Sequence, residues 1–303
     1  MTDSPKHTFD IYAIAEEYRR RDPDTLTHME KTIIHVADAT LMDDIFMSEV
    51  FHEDKEGVAY LLNIILERDD LTVKSVSTQH DITSAFRRSI HLDIRAVDTE
   101  GQVYDIEIQR SRDGAIPRRA RFYSSKLDGD LLDKEENFRN LVDTYVIFIT
   151  ETDIWGYGLP IYKVERHFLN NQYIDFGDGT HIYYVNGAYR ADDPIGRLMH
   201  DFHCNKAEHM YSSLLADRLS VVKGNEERSI HMGWNSQDIY EEGLQIGETR
   251  GEARGKALGA SDKERQILFS MFRRNQFTNE LISDMTSIPL ETVNKFAQEY
   301  QNL

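Results

Sequence analysis

Cysteine is all but absent from this chain: Cys204 is the single thiol among 303 residues. That excludes an intrachain disulfide framework and gives no sign of an oxidising compartment. No apolar run approaches the ~18 residues a membrane span requires, and the charged stretch Met1 to Arg21 holds no apolar signal core. The expected setting is cytoplasmic, with no membrane partner. Positive charge is also scarce, with 35 Lys and Arg against 53 Asp and Glu and a formal net charge of -18. Such a surface repels phosphates, so any nucleic-acid contact must be local.

What is present divides into four stretches. Residues 1–34 form a polar N-terminal segment with weak periodicity, and residues 35–225 carry the apolar patterning of one main α/β domain. Within it, Val58, Leu61, Leu62 and Ile65 predict a helix over Lys55 to Arg68. Strands follow at Leu71 to Gln79, Ile90 to Val97 and Val103 to Gln109, then a helix near Arg118 to Leu132 and an apolar strand at Thr144 to Thr150. Trp155 to Tyr189 reads as further short strands or an irregular extension. From Asp193 to Val222 the spacing predicts one covering helix. Over residues 226–260, Gly243, Gly247, Gly251, Gly255 and Gly259 recur every fourth residue. Glycine costs a helix about 1 kcal/mol against alanine, which makes this stretch a linker or a marginal helix. Residues 261–303 read as a small helical unit, with Pro289 opening its last helix. That helix offers Lys295 as its only basic side chain, which argues against groove reading and for helical packing.

The chemistry lies between Ile90 and Gln109. Alternation puts Ile90, Leu92, Ile94 and Ala96 on one strand face and Asp93 on the other; on the next strand Asp105, Glu107 and Gln109 share a face. If Asp98 to Gln102 closes as a five-residue turn around Gly101, Val97 pairs with Val103 and Asp93 falls opposite Glu107. Directly opposed carboxylates destabilise a hairpin unless a cation neutralises them. Hard divalent cations take such oxygen ligands. Gln109, two residues from Glu107, would enter the same site and orient water or phosphate. The alternative is an amphipathic hairpin with ordinary polar positions, in which Asp105 is a solvated edge residue. Directly after the strands, Arg110, Arg112, Arg118, Arg119, Arg121 and Lys126 form a basic island against Asp113 alone. It reads either as a phosphate-binding surface or as a solvated helix face.

Leu92-Asp93-Ile94-Arg95, Tyr104-Asp105-Ile106-Glu107-Ile108-Gln109 and Arg118-Arg119-Ala120-Arg121-Phe122-Tyr123-Ser124-Ser125-Lys126-Leu127 resemble the PD-(D/E)XK nuclease family transposases, related to the Rpn-like recombination-promoting nucleases. Leu41-Met42-Asp43-Asp44-Ile45-Phe46-Met47 is similar to the family's opening segment, and the glycine repeat to its tails. The resemblance implies a restriction-endonuclease-like α/β core of helix, three strands, helix and strand, with a C-terminal helical extension. It implies a Mg²⁺- or Mn²⁺-dependent endonuclease acting on DNA, of a mobile-element or recombination-promoting type. Asp93 and Glu107 correspond to the metal-binding acids, and Gln109 replaces the lysine of the superfamily name. Arg110, Arg118, Arg119, Arg121 and Lys126 would contact DNA, and Glu56 would be an accessory metal or water ligand. A homodimer held through helical segments would suit double-strand cutting.

His200, His203 and Cys204 have helical spacing that could hold zinc; the alternative is packed or surface imidazoles. Three functions compete: an active metal-dependent nuclease, a nucleic-acid-binding relative that cuts weakly, and a partner-binding protein. The Asp93 and Glu107 pair favours the first over the second, and the net charge favours the third.

Overall fold

The computed structural model describes residues 9–82, 89–229, 268–273, 277–286 and 288–301. The chain divides into two compact units, Met1–Gln237 and Asp238–Leu303.

In the first unit four helices precede the sheet: α1 (Ile11–Arg19), α2 (His28–Asp38), α3 (Asp44–Val50) and α4 (Lys55–Ile65). Asp10 caps α1 by accepting from the Tyr12 and Ala13 N–H groups at 3.1 Å. Thr27 and Glu30 cap α2 reciprocally, each side chain accepting from the other's backbone. The polar N-terminal run therefore holds two amphipathic helices, with Ile11, Ala15, Ile33 and Val36 buried in the main core. Each exposes a broad polar face and buries a narrow stripe, which is why the periodicity is faint in the sequence.

The sheet follows: β1 (Val73–Ile82), β2 (Ile90–Asp98), β3 (Val103–Gln109), helix α5 (Pro117–Leu131), β4 (Thr144–Thr150), β5 (Ile161–Val164) and β8 (Thr180–Asn186). Between β5 and β8 the chain makes a separate two-stranded hairpin, β6 (His167–Phe168) with β7 (Asn171–Asp175). The six-stranded order is β1-β2-β3-β4-β8-β5. Strands β1, β2 and β3 form an antiparallel meander, β3, β4 and β8 are parallel, and β5 returns antiparallel on β8. The expected order of helix, three strands, helix and strand is present. One face of the sheet packs Ile94, Ala96, Tyr104, Ile106 and Ile147 into the core shared with α1 to α4. The other packs Val103, Val146 and Phe148 against Ala120, Tyr123 and Leu127 of α5.

The predicted alternation along β2 fails at one place. Ile94 and Ala96 join the first core, but Ile90 and Leu92 join the second. The break falls next to Asp93, where the β2–β3 ladder ends at Ile94↔Ile106 and Gln79, the β1 residue in register with Asp93, takes a φ of 53°. The expected single helix after Asp193 is two, α6 (Pro194–Phe202) and α7 (Ser213–Lys223). The buried Asp201 carboxylate explains the break: it accepts from the Tyr211 and Ser212 N–H groups at 2.8 Å each and folds the chain back.

In the second unit, helices Asn279–Thr286 and Leu290–Gln301 pack Ile282, Ile288 and Val293 against Leu268. Pro289 precedes the last helix and its carbonyl accepts from Val293 N–H at 3.1 Å. The glycine repeat lies outside the described residues.

Candidate metal centre and nucleic-acid cleft

Residues Asp98 to Gln102 close the β2–β3 turn with Val97 opposite Val103, and Gly101 takes a φ of 90°. The buried Asp98 carboxylate holds this turn by accepting from the Glu100 and Gln102 N–H groups at 2.9 Å and from the Tyr104 hydroxyl at 2.8 Å. From that register the ladder reaches Ile94↔Ile106, and the next residues in line are Asp93 and Glu107. There side chains take over from the backbone. Asp93 N–H donates to Glu107 Oε1 at 3.1 Å, and Ile108 N–H donates to Asp93 Oδ2 at 2.9 Å. Each carboxylate stands where a strand carbonyl would otherwise accept.

Three carboxylates are buried here: Asp93, Asp105 and Glu107. Asp105, which the sequence left open between a place beside the site and a solvated edge, is fully enclosed, and neither of its oxygens has a hydrogen-bond partner. Burial pushes the Asp93 and Asp105 carboxyls well above the usual carboxylate range, and the Glu107 charge adds to both shifts. Burial also pushes Glu107 up to about 7, opposed by Arg119. Burial and the neighbouring Glu107 charge together favour the neutral acid at Asp105.

Arg119 is the cation of the site. Its guanidinium donates to Glu107 Oε2, Gln109 Oε1 and the Gly114 carbonyl at 3.0 Å each, and to the Tyr123 hydroxyl at 2.7 Å. Gln109 Nε2 lies 3.4 Å from Glu107 Oε2. Gln109 therefore shares the pocket, and the positive charge that a glutamine lacks comes from the neighbouring helix.

Asp93 and Gln109 open into a cavity of about 1050 Å³ lined also by Asp44, His91, Arg118 and Arg119 among others, with Glu107 buried behind them. Asp44, in the first turn of α3, adds a further carboxylate whose charge reaches Asp93 and Glu107. His91 accompanies it, with Nδ1 2.7 Å from Asp81 Oδ1 and Nε2 on Gln79 Oε1. Sequence reasoning missed both as site residues; Asp44 stood inside the Leu41 to Met47 segment but carried no spacing of its own. Glu56 is elsewhere: it sits on α4, pairs with Arg218 at 3.0 Å and does not line the cavity. Asp44 rather than Glu56 lines the cavity, because α3 rather than α4 meets it.

Of the basic island, Arg119 turns inward. Arg110 lines the cavity but pairs with Asp43 at 2.9 Å and Glu151 at 3.5 Å. Arg118 lines the cavity, Arg121 is exposed on the same helix, and neither has an ion-pair partner among the described residues. Lys126 holds its ammonium 5.7 Å from the centre of the Phe122 ring.

Residues 44–174 match the family model for PD-(D/E)XK nuclease family transposases. The likeness to this family covers that span. No curated protein and no solved structure matches the chain. The matched span contains Asp44, Asp93, Asp105, Glu107 and the cleft arginines, and the six-stranded sheet with its helices is consistent with a restriction-endonuclease-like PD-(D/E)XK fold.

A divalent cation fits the donors present. Three buried carboxylates share one half-buried guanidinium, and an uncompensated buried anion is costly. The orphaned oxygens of Asp105 make the same point. The donors are all oxygen, as Mg²⁺ and Mn²⁺ prefer. The zinc candidate resolves differently. His200, Asp201 and Cys204 bring donor atoms within 4.8 Å of one another, but His203 turns its Nδ1 to the Met199 carbonyl at 2.8 Å. Asp201 is engaged by two backbone N–H groups and the Cys204 thiol by carbonyls, so hydrogen bonding accounts for the cluster.

No helix among the described residues is long and apolar enough to cross a membrane.

Proposed function

We propose that the cleft around Asp93 and Glu107 is a Mg²⁺- or Mn²⁺-dependent site that hydrolyses DNA phosphodiesters, serving a mobile-element or recombination-promoting nuclease of the cytoplasm. The observation that carries the reading is the reciprocal bonding of Asp93 and Glu107 at the open end of the β2–β3 ladder, with Asp93 lining a cavity that Arg110, Arg118 and Arg119 also line.

Asp93 and Glu107 would hold the cation, and Asp44, which lines the same cavity, would reach it through water. When bound, the cation lowers the pKa of its water and offsets charge developing on the phosphate. The protein's own groups supply the rest. Arg119 fixes the Glu107 carboxylate and keeps Gln109 pointed into the pocket, where its amide can orient water or a phosphate oxygen. Gln109 cannot act as the proton donor that a lysine would, so its share is positional. The first turn of α5, opened by Pro117, presents Arg118 to the cavity at the positive end of the helix, a setting that favours an anion. Arg118, Arg121 and Lys126 continue that surface along α5 for the DNA backbone, and Arg110 extends it if substrate displaces Asp43 or Glu151.

A second reading is a nuclease-fold protein that cuts weakly and acts mainly by binding nucleic acid or protein. The net charge of -18 and the absence of lysine at position 109 favour it. Nicking of supercoiled plasmid with Mg²⁺ or Mn²⁺, comparing wild type with Asp93→Ala, separates the two. Cutting that needs both the metal and Asp93 supports the nuclease; DNA retention with no cutting in either metal supports the second reading.

A further inference from the structure

The end of the sheet at Gln109, Thr150 and Asn186 carries a second feature beside the cleft. Residues 151–160 cross there from β4 to β5 over the end of β8. Glu151 N–H donates to the Gln109 carbonyl at 3.2 Å, and Asn186 Nδ2 donates to the Leu159 carbonyl at 3.1 Å. Within this loop every N–H from Trp155 to Leu159 is engaged. The Asp153 carboxylate accepts from Trp155, Gly156 and Gly158 at 3.1, 2.9 and 2.7 Å, and the Tyr162 hydroxyl accepts from Tyr157 and Leu159 at 3.2 and 3.4 Å. Gly156 and Gly158 take φ of 75° and 72°, the left-handed backbone that lets these N–H groups converge. Trp155 packs edge-on against Tyr184, with ring centres 5.6 Å apart. On this pinned backbone Tyr157 is 79% exposed and Leu159 half exposed.

Composition decides which part of a nucleic acid such a loop can meet. From Ile154 to Pro160 no side chain is charged, in a chain that is 29% charged, so the loop has nothing to hold a phosphate. An exposed aromatic ring offers stacking instead, and every nucleobase has a face to stack. Arg110 joins the loop to the cleft, since it lines the cavity and reaches Glu151 where the loop begins. Strand β8 lies two spacings of about 4.8 Å from β3, which puts the loop on the order of 10 Å from Gln109. That is about three nucleotides along a strand at ~3.4 Å each. Because the backbone under Tyr157 is already fixed, stacking on it costs little further ordering.

We propose that Tyr157 is a stacking platform for an unpaired nucleobase of the DNA strand held in the cleft, and that it biases the site toward single-stranded or locally opened DNA over closed duplex. The identity of the ligand rests on the nuclease reading of Asp93 and Glu107. A base must leave its own stack to reach Tyr157, and in closed duplex that costs the energy of unpairing. The same device suits the charge of the chain. At a net charge of -18, stacking supplies affinity that does not depend on a positive surface.

Fluorescence anisotropy of the full chain in EDTA, where no metal supports cutting, tests this with one labelled oligonucleotide offered as single strand and as duplex. Wild type should bind the single strand more tightly. Tyr157→Ala should weaken single-strand binding by on the order of 10-fold or more and duplex binding much less, while Tyr157→Trp keeps the wild-type preference. Tyr173→Ala controls for exposure alone: Tyr173 is 90% exposed on β7, which leads into β8 at Thr180, the end opposite Asn186, and its loss should leave both affinities unchanged. All three variants should keep the wild-type melt. A Tyr157→Ala protein that binds both DNAs as wild type does overturns the proposal and leaves the loop to a protein partner; an equal loss in Tyr173→Ala overturns it as well. Plasmid nicking by wild type with Mg²⁺ or Mn²⁺ keeps the two readings apart. Nicking with Tyr157 indifferent to binding sinks the stacking platform alone, whereas single-strand binding through Tyr157 with no nicking in either metal sinks the nuclease reading alone. A wild type that binds neither DNA sinks both.

Discussion

Arg119 Nη2 lies 3.0 Å from Glu107 Oε2, so a buried strand carboxylate takes its counter-charge from a helix that follows it in the chain. The same guanidinium holds Gln109. Removing it leaves Glu107 buried with less compensation and Gln109 without its anchor. Arg119→Ala should cost on the order of 2 kcal/mol in metal-free urea melts, as loss of a partly exposed charged hydrogen-bond partner does. It should also lower cleavage more than DNA affinity. Arg119→Lys should recover part of the stability and less of the cleavage, since one ammonium does not reproduce the fork. Equal losses in cutting and binding would assign Arg119 to the DNA surface instead.

The raised carboxyls give metal and pH a linked effect. Glu107 titrates at about 7 in the folded chain, above the range of an exposed glutamate, so the folded state binds its proton more tightly than the unfolded state. The resulting stability is complete below the unfolded glutamate pKa and is lost as pH rises through about 7. Asp93, shifted the same way, adds to the trend. Metal-free protein should therefore melt lower at pH 8 than at pH 5.5, and millimolar Mg²⁺ should raise the melt at pH 8 more than at pH 5.5. Glu107→Gln should flatten both trends. Scanning fluorimetry with EDTA or Mg²⁺ reads all four conditions; identical melts would remove the physical basis for the metal site.

Asp93→Ala and Glu107→Ala should abolish plasmid cleavage while Gln109→Ala keeps a reduced, measurable rate. Losing a carboxylate removes a proposed metal ligand, whereas losing Gln109 removes one orienting amide, typically on the order of a 10²-fold effect. Cleavage by Asp93→Ala at the wild-type rate would move the chemistry elsewhere.

Arg118 and Arg121, free of acidic partners among the described residues, are the better probes of the DNA surface. Their double alanine variant should weaken binding about equally on all sequences and reduce the salt slope by about 2, near 0.9 per phosphate contact. An unchanged slope would return both to a solvated helix face.

Much of the fold was legible because strand alternation and turn chemistry are local. The five-residue turn at Gly101 set the β2–β3 register, and that register aligned Asp93 with Glu107. The failures are those of long-range packing. Asp105 was indistinguishable from an exposed strand residue, since α5 alone decides that its face is covered. Glu56 and Asp44 both sit in first turns of helices, and only the packing of α3 near β2 selects Asp44. The break after Phe202 was hidden for the same reason, because Asp201 closes it through N–H groups about ten residues on.

The unbroken parallel register of β3, β4 and β8 divides labour along the molecule. Because Gln109, Thr150 and Asn186 align at one end and Val103, Thr144 and Thr180 at the other, an insertion before β8 lengthens only the rear of the sheet. The β6–β7 excursion can change its length, charge or greasiness without moving a carboxylate at the front.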